Sequence, residues 1–231
     1  MQNRKNKAVT FSFDDGVTQD IRLIEIFDRY SLKCTFNLNS ELLGLPGELI
    51  REGVKVSHNK IEPGKVREIY KGHEIAAHTL THPNLAQLTD ENEILRQVVE
   101  DRKKLSALAG YDVKGMAYPG GGVNYTKEVA ELLRKHSAAA YARTTVATFG
   151  FSPPEDLMTL HPTVHMINFK KLFELADEFL AAKADAPMIF YIWGHSYEFD
   201  IADTWDEVER FCERIAGKPD VLYGTNSEVL L

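Results

Sequence analysis

Apolar residues recur along this chain in two rhythms. Short runs rich in β-branched and aromatic side chains read as strands: Ala8 to Phe13, Cys34 to Leu38, Glu74 to Ala77, Gly115 to Tyr118, Ala138 to Ala142, Met188 to Trp193 and Val221 to Tyr223. Between them lie longer amphipathic stretches. Asp20 to Tyr30 carries Ile21, Ile24 and Phe27 on one helical face, and Glu62 to Lys71 reads as a second helix. Thr89 and Asp90 offer caps for a long helix to about Ala109, with Ile94, Leu95, Val98, Leu105 and Leu108 on its apolar side. Lys127 to His136, Asn168 to about Lys183 and Asp206 to Ile215 complete the set. Strand and helix alternate about seven times, which predicts parallel strands joined by crossover helices. A doubly wound sheet and a closed barrel both fit. No linker, repeat or low-complexity segment interrupts the pattern, so residues 1–231 read as one domain.

Composition narrows the partners. Hydrophobic residues make up 44% and charged residues 26% of the 231, as in ordinary globular chains. Thirty-four acidic against 27 basic residues leave a net charge of −7, and no basic stripe is visible. Neither a nucleic acid nor an anionic membrane surface is therefore an expected partner. No run approaches the ~20 apolar residues of a membrane span, and the first residues, MQNRKNKAVTF, lack an apolar segment of secretory length. The expectation is a soluble cytoplasmic protein. Cys34 and Cys212 sit in apolar patterns and read as buried free thiols.

The unusual polar residues fall just after strands, where parallel α/β barrels carry their active sites. Asp14 and Asp15 end the first strand, and Gly16 lets the chain leave it at once, so both carboxylates can turn toward one pocket. An exposed Asp-Gly turn is the alternative. His78 and His82 are four apart in His78-Thr79-Leu80-Thr81-His82, a spacing that suits two ligands on one metal. Pro83 disfavours helix at His82, so a single turn or tight loop is expected there. His161 and His165 share the spacing, but Pro162, Thr163 and Val164 favour extended chain, which would hold the rings about 13 Å apart at ~3.3 Å per residue. Asp15, His78 and His82 together would form a two-histidine, one-carboxylate site suited to hydrolytic Zn²⁺, and to Co²⁺, Ni²⁺, Mn²⁺ or Fe²⁺. Asp14 would remain beside it to accept a proton.

The order FDDG, HTLTH, a Pro-Gly loop and then a hydrophobic-x-x-His resembles the polysaccharide deacetylase family, carbohydrate esterase family four, from about Val9 to His195. The resemblance implies a distorted (β/α) barrel of seven or eight parallel strands and a divalent metal, usually zinc. It implies Asp14 as general base, Asp15, His78 and His82 as metal ligands, and His195 as the acid that protonates the leaving amine. Substrate-side residues would be Tyr118, Pro119, Gly120 with its backbone N–H as oxyanion donor, and Trp193, with Ile192 helping to shape an acetyl pocket. Two departures stand out. The family's third motif begins with an Arg, whereas this chain reads Ala117-Tyr118-Pro119-Gly120-Gly121, so Arg143 is the expected substitute. The Asp that tunes the catalytic His has no clear counterpart near residues 143 to 150, and Glu198, Asp200 and Asp203 are the acids near His195 in sequence.

The expected reaction is metal-dependent removal of acetyl groups from an N-acetylated, or O-acetylated, carbohydrate. Ring-opening hydrolysis of a small cyclic amide and a metal-retaining carbohydrate-binding pseudoenzyme are the alternatives. His73 is expected to hydrogen-bond backbone, and His58 and His136 to be exposed. Tyr118, Trp193, Tyr197 and Trp205 could stack on a sugar or pack in the core and rim.

Overall fold

The strands alternate between large apolar side chains on one face and small or polar ones on the other, and both faces are buried. In the computed structural model, which describes residues 5–51 and 53–231, the chain runs through β1 (Lys7–Asp14), α1 (Asp20–Arg29), β2 (Cys34–Leu38), β3 (Glu48–Arg51), β4 (Val54–Ser57), α2 (Val66–Ile69) and β5 (Glu74–Ala77). It continues through α3 (Glu91–Ala109), β6 (Gly115–Ala117), α4 (Lys127–His136), β7 (Tyr141–Arg143), β8 (Val164–His165) and α5 (Phe169–Ala181). Last come β9 (Met188–Gly194), α6 (Glu198–Ile201), α7 (Trp205–Ile215), β10 (Val221–Tyr223) and α8 (Asn226–Leu230).

On β1, Phe11 and Phe13 face the helices. Phe11 meets Phe27 of α1 at 4.7 Å and Phe211 of α7 at 6.3 Å between ring centroids, and Phe13 meets Phe27 and Phe199. Thr10 and Ser12 face the other way, into the curl of the sheet. There Thr10 Oγ1 donates to Asn226 Oδ1, and Ser12 Oγ accepts from Asn37 Nδ2 at 2.8 Å. The same division separates Phe36 from Thr35 and Asn37 on β2, and Phe190 and Ile192 from Tyr191 on β9. Burial of the aromatic face drives the packing, while each of these inward side chains makes at least one hydrogen bond, because a buried polar group left unpaired costs about 1–3 kcal/mol.

The main sheet runs β7-β6-β5-β2-β1-β9-β8, and β10 also pairs with β1; every pairing is parallel. β9 flanks one side of β1 throughout. The other side is taken first by β10, from Lys7 to Val9, and then by β2, from Phe11 to Asp14. The edge strands β7 and β8 do not pair. Leu160 bridges the gap through hydrogen bonds to Ala142 and Thr144, and Thr163 N continues to Tyr191 O. The result is a curled, distorted (β/α) barrel of eight parallel strands, as the resemblance implies; the strand–helix alternation alone also allowed a doubly wound sheet.

The barrel floor is filled by polar side chains. Glu74 accepts from Thr35 Oγ1, Tyr141 OH, and the backbone N–H and hydroxyl of Ser227. Asn226 donates to Tyr191 OH at 2.8 Å. Helix α8 supplies both residues, held at its start by a capping box between Thr225 and Glu228.

Several elements depart from expectation. The seventh strand begins at Tyr141 rather than Ala138, because Ala138 has φ 56° in the turn that leaves α4. The β3–β4 hairpin was not anticipated; its largely exposed residues give no buried stripe to read. Glu62 to Lys71 is a short 3₁₀ turn followed by α2. Cys34 and Cys212 are buried and unpaired as thiols. Among the described residues, no helix is long and apolar enough to cross a membrane.

Gly115 faces the barrel interior, where a Cβ would lie 1.8 Å from the ring of Tyr141, itself fixed by Glu74. Gly115→Ala is expected to destabilise the fold by about 1–3 kcal/mol or more in denaturant unfolding. Gly121→Ala, with open space around the new methyl, should change stability by no more than about 0.5 kcal/mol.

Candidate active site

Asp14 is the last inward rung of β1, directly opposite Asn37 of β2. The next two residues have positive φ, 82° at Asp15 and 60° at Gly16, and they swing the chain so that Asp15 also faces the barrel mouth. A Cβ on Gly16 would meet Leu38 Cδ2 at 2.8 Å, so both the turn and its packing require glycine. The two carboxylates are 2% and 6% exposed, a burial that demands compensating charge.

His78 and His82 follow β5 in a tight loop, with Thr79 at φ 68° and His82 at φ 63°. His78 Nδ1 donates to Ala117 O at 2.9 Å, which fixes the ring and leaves Nε2 with a free lone pair facing the carboxylates. Asp101, on α3, accepts from the backbone N–H groups of His78 and Ser40 and so ties the β2 and β5 loops together. Burial pushes this carboxyl up to about 7.

The donor atoms of Asp15, His78 and His82 all lie within 4.8 Å of one another. Asp15 Oδ1 is 3.5 Å from His82 Nε2 and 3.9 Å from His78 Nε2. Donors around a tetrahedral dication with ~2.1 Å bonds lie about 3.4 Å apart, so the spacing fits such an ion. Protonation states fit as well. Burial pushes His78 down to about 4 and lowers His82, keeping both imidazoles neutral. Burial would raise Asp15, but the hydrogen bond from His58 and the charge of Lys60 hold its carboxyl well below the usual range. Two neutral imidazoles and one ionised carboxylate are the forms that bind metal.

Asp14 takes the partner that the third motif lacks. Arg143, the last residue of β7, is fully buried; its Nη2 donates to Asp14 Oδ2, and its guanidinium lies 4.5 Å from the Trp193 ring. Asn37 Nδ2 donates to Asp14 Oδ1 at 2.8 Å. Burial works against the charge of Asp14, yet Arg143, with His78 and His195, keeps its pKa below the ordinary value.

His195, just past β9, spans two carboxylates. Its Nε2 is 3.9 Å from Asp14 Oδ2, and its Nδ1 is 3.3 Å from Glu198 Oε1. Burial alone would lower the imidazole, but Glu198, with Asp15 and Asp14, pushes it up to about 9. Of the three nearby acids, then, Glu198 faces the histidine, whereas Asp200 accepts from Gln19 and Trp205. His165 Nε2 reaches the same Glu198 at 3.3 Å. His161 bonds Thr144 instead, so the second histidine pair does not converge.

These groups open into a cavity of about 720 Å³, also lined by Gly120 at φ 88°, Trp193 and Tyr197. Tyr118, Pro119, Ile192 and Trp205 are buried and do not line it; the Tyr118 hydroxyl donates to Met158 O at 2.9 Å. The expectation of an exposed His58 is corrected. This ring is largely covered and its Nε2 donates to Asp15 Oδ2 at 3.1 Å, because the hairpin returns it to the end of β1. Lys60 and Asn37 were likewise missed. Lys60 Nζ donates to Asp15 O at 2.7 Å, a contact between residues 45 apart in sequence. His73 accepts from Cys34 N, and His136 is exposed, as expected.

Comparison with known proteins places this arrangement. The chain is 28% identical over 131 residues to the peptidoglycan-N-acetylglucosamine deacetylase PgdA of Listeria monocytogenes, covering 55% of this chain and 24% of that protein. It is 33% identical over 119 residues to a peptidoglycan-N-acetylglucosamine deacetylase of Bacillus cereus, covering 50% and 38%. The match thus spans between a quarter and two fifths of these relatives' length. Among solved structures, an allantoinase superposes over all of this chain and 91% of its own, with TM-score 0.72 and 13% identity. A pseudoenzyme of carbohydrate esterase family four from Bacillus anthracis superposes over 99% and 67%, with TM-score 0.56 and 18% identity. Residues 1–141 match the profile of the polysaccharide deacetylase family, and the chain belongs to that family.

Proposed function

We propose that this protein is a metal-dependent deacetylase that hydrolyses the N-acetyl group of an acetylated sugar. The observation that carries the reading is an acid and a base beside one cluster: Asp14 and His195 flank Asp15, His78 and His82 without being needed to complete the ligand triad. A binding module needs neither a proton acceptor nor a proton donor there. The homologous peptidoglycan deacetylases support the acyl-sugar class.

Asp15, His78 and His82 would hold the metal. When bound, a dication supplies Lewis-acid polarisation of the acyl carbonyl and lowers the pKa of a water toward about 7. Asp14, kept ionised by Arg143 and oriented by both Arg143 and Asn37, accepts the proton of the attacking water at Oδ2 or Oδ1. The Gly120 N–H, at the cavity wall, is the donor for the oxygen that becomes negative, a contribution typically worth ~10²–10³ in rate. His195 begins protonated, because Glu198 stabilises the imidazolium, and gives its Nε2 proton to the departing nitrogen. Trp193 closes the wall behind the acyl group and is itself braced by the Arg143 guanidinium.

Acetate release from N-acetylglucosamine oligosaccharides should be abolished by chelator and restored by Zn²⁺. His78→Ala is expected to lose both metal and activity, whereas Asp14→Asn should keep metal and lower kcat by about 10²–10⁴-fold. Retained turnover in Asp14→Asn would remove it as the base. Arg143→Met should cut turnover far more than metal content, measured by metal analysis of the same preparation.

The acid assignment carries a pH signature. An acid must be protonated to act, so activity falls as pH rises through the His195 pKa. Glu198→Gln removes the carboxylate that favours the imidazolium, and the alkaline limb of the rate profile should move to lower pH. An unmoved limb would show that Glu198 does not tune His195.

A further inference from the structure

Besides Asp15, His78 and His82, a second group of metal-binding side chains converges among the described residues: His165, His195 and Glu198. His165 ends β8, His195 follows β9 and Glu198 opens α6. Parallel pairing of β8 with β9, His165 beside Trp193, brings both histidines to the same end of the sheet. The Glu198 carboxylate stands between their rings. Its Oε1 is 3.3 Å from His195 Nδ1, and its Oε2 is 3.3 Å from His165 Nε2. One donor atom from each residue lies within 4.8 Å of the other two, and the group shares no residue with the first triad.

Two features set this group apart from a pair of ordinary histidine–carboxylate hydrogen bonds. His195 Nδ1 is buried and makes no aligned hydrogen bond, although Glu198 is beside it. The 3.3 Å spacings exceed the ~2.7–2.9 Å of a charge-assisted N–H···O bond, and they match the ~3.4 Å between donors around a tetrahedral dication with ~2.1 Å bonds. The three groups are also held in place. The His195 backbone N–H donates to Glu198 Oε2 at 3.1 Å, and the Trp193 ring packs edge-on against His165 at 4.4 Å and His195 at 5.6 Å between centroids. His195 and Glu198 line the cavity, so the group is open to an ion from that side.

We propose that His165, His195 and Glu198 form a second divalent-cation site, weaker than the first, and that filling it switches the deacetylase off. Two imidazoles and a carboxylate accept Zn²⁺ and its first-row neighbours. An ion on His195 Nδ1 releases to solvent the proton held there, so this site fills only after the first triad. His195 then keeps at Nε2 only the proton of a neutral imidazole, a far weaker acid than the imidazolium that the leaving nitrogen requires. The inhibition rests on the reading of His195 as the acid; the site itself does not.

The test dialyses chelator-treated enzyme against limiting and then excess Zn²⁺, with bound metal and acetate release from N-acetylglucosamine oligosaccharides measured at each step. The expected result is two ions per chain at excess, with a rate at least about tenfold below that at one ion per chain. His165→Gln and Glu198→Gln should each hold one ion at the same excess, and that retained ion reports an intact first triad and fold. The rate of His165→Gln should not fall between one equivalent and excess. A wild-type chain that saturates at one ion, or a His165→Gln chain that still holds two, would overturn the site. Two ions with an undiminished rate would overturn the inhibition. Acetate release absent at every Zn²⁺ concentration would count against the deacetylase reading, while the metal count still decides the second site.

Discussion

Two adjacent carboxylates at the buried end of β1 set the terms for everything around them. Neither Asp14 nor Asp15 can stay ionised at that depth without help, since isolated buried charge is strongly disfavoured. The surrounding elements supply that help from four directions: Arg143 from β7, Asn37 from β2, His58 and Lys60 from the chain after the hairpin, and the His195 ring from the end of β9. The division of partners separates their properties. Asp14 is clamped by a guanidinium and an amide, while Asp15 is steadied through one oxygen and leaves the other toward the two neutral histidines.

Strand parity explains how these groups arrive together. Asp14, His78, Arg143 and His195 each stand at or just beyond the upper end of an inward row that begins with Thr10 and Ser12, Glu74, Tyr141, and Tyr191 and Trp193 respectively. The outward rows carry Phe11, Phe13, Phe36 and Phe190 into the helical layer. A polar interior of this kind pins the register, because a shift by one residue would exchange phenylalanine for threonine and carboxylate throughout.

Much of this was legible from residue order. The strand–helix alternation, the buried thiols and the convergence of Asp15 with His78 and His82 are local or pattern-borne signals. The alternation of Phe11 and Phe13 with Thr10, Ser12 and Asp14 was also in the sequence, and the same alternation on β2 marks Asn37, after Thr35, as an inward residue. What could not be read were contacts set by tertiary closure alone. His58 lies 43 residues and Lys60 45 from Asp15, and no periodicity links such pairs; Arg143, 129 residues from Asp14, was expected only because the third motif lacks its Arg. Tyr118 carried a misleading signal. Beside a Pro-Gly loop it resembled a sugar platform, but its position turns the ring into the core, where Met158 O satisfies the hydroxyl.

The floor of the barrel has a consequence for how the chain is made. β1 lacks its second neighbour along Lys7 to Val9 until residues 221 to 223 exist, and Thr10 lacks Asn226, and Glu74 the two donors of Ser227, until residues 226 and 227 follow. Contacts of such sequence separation form slowly and late. During synthesis β1 must therefore wait half-paired, its Thr10 hydroxyl wet, until α8 leaves the ribosome and stoppers the base.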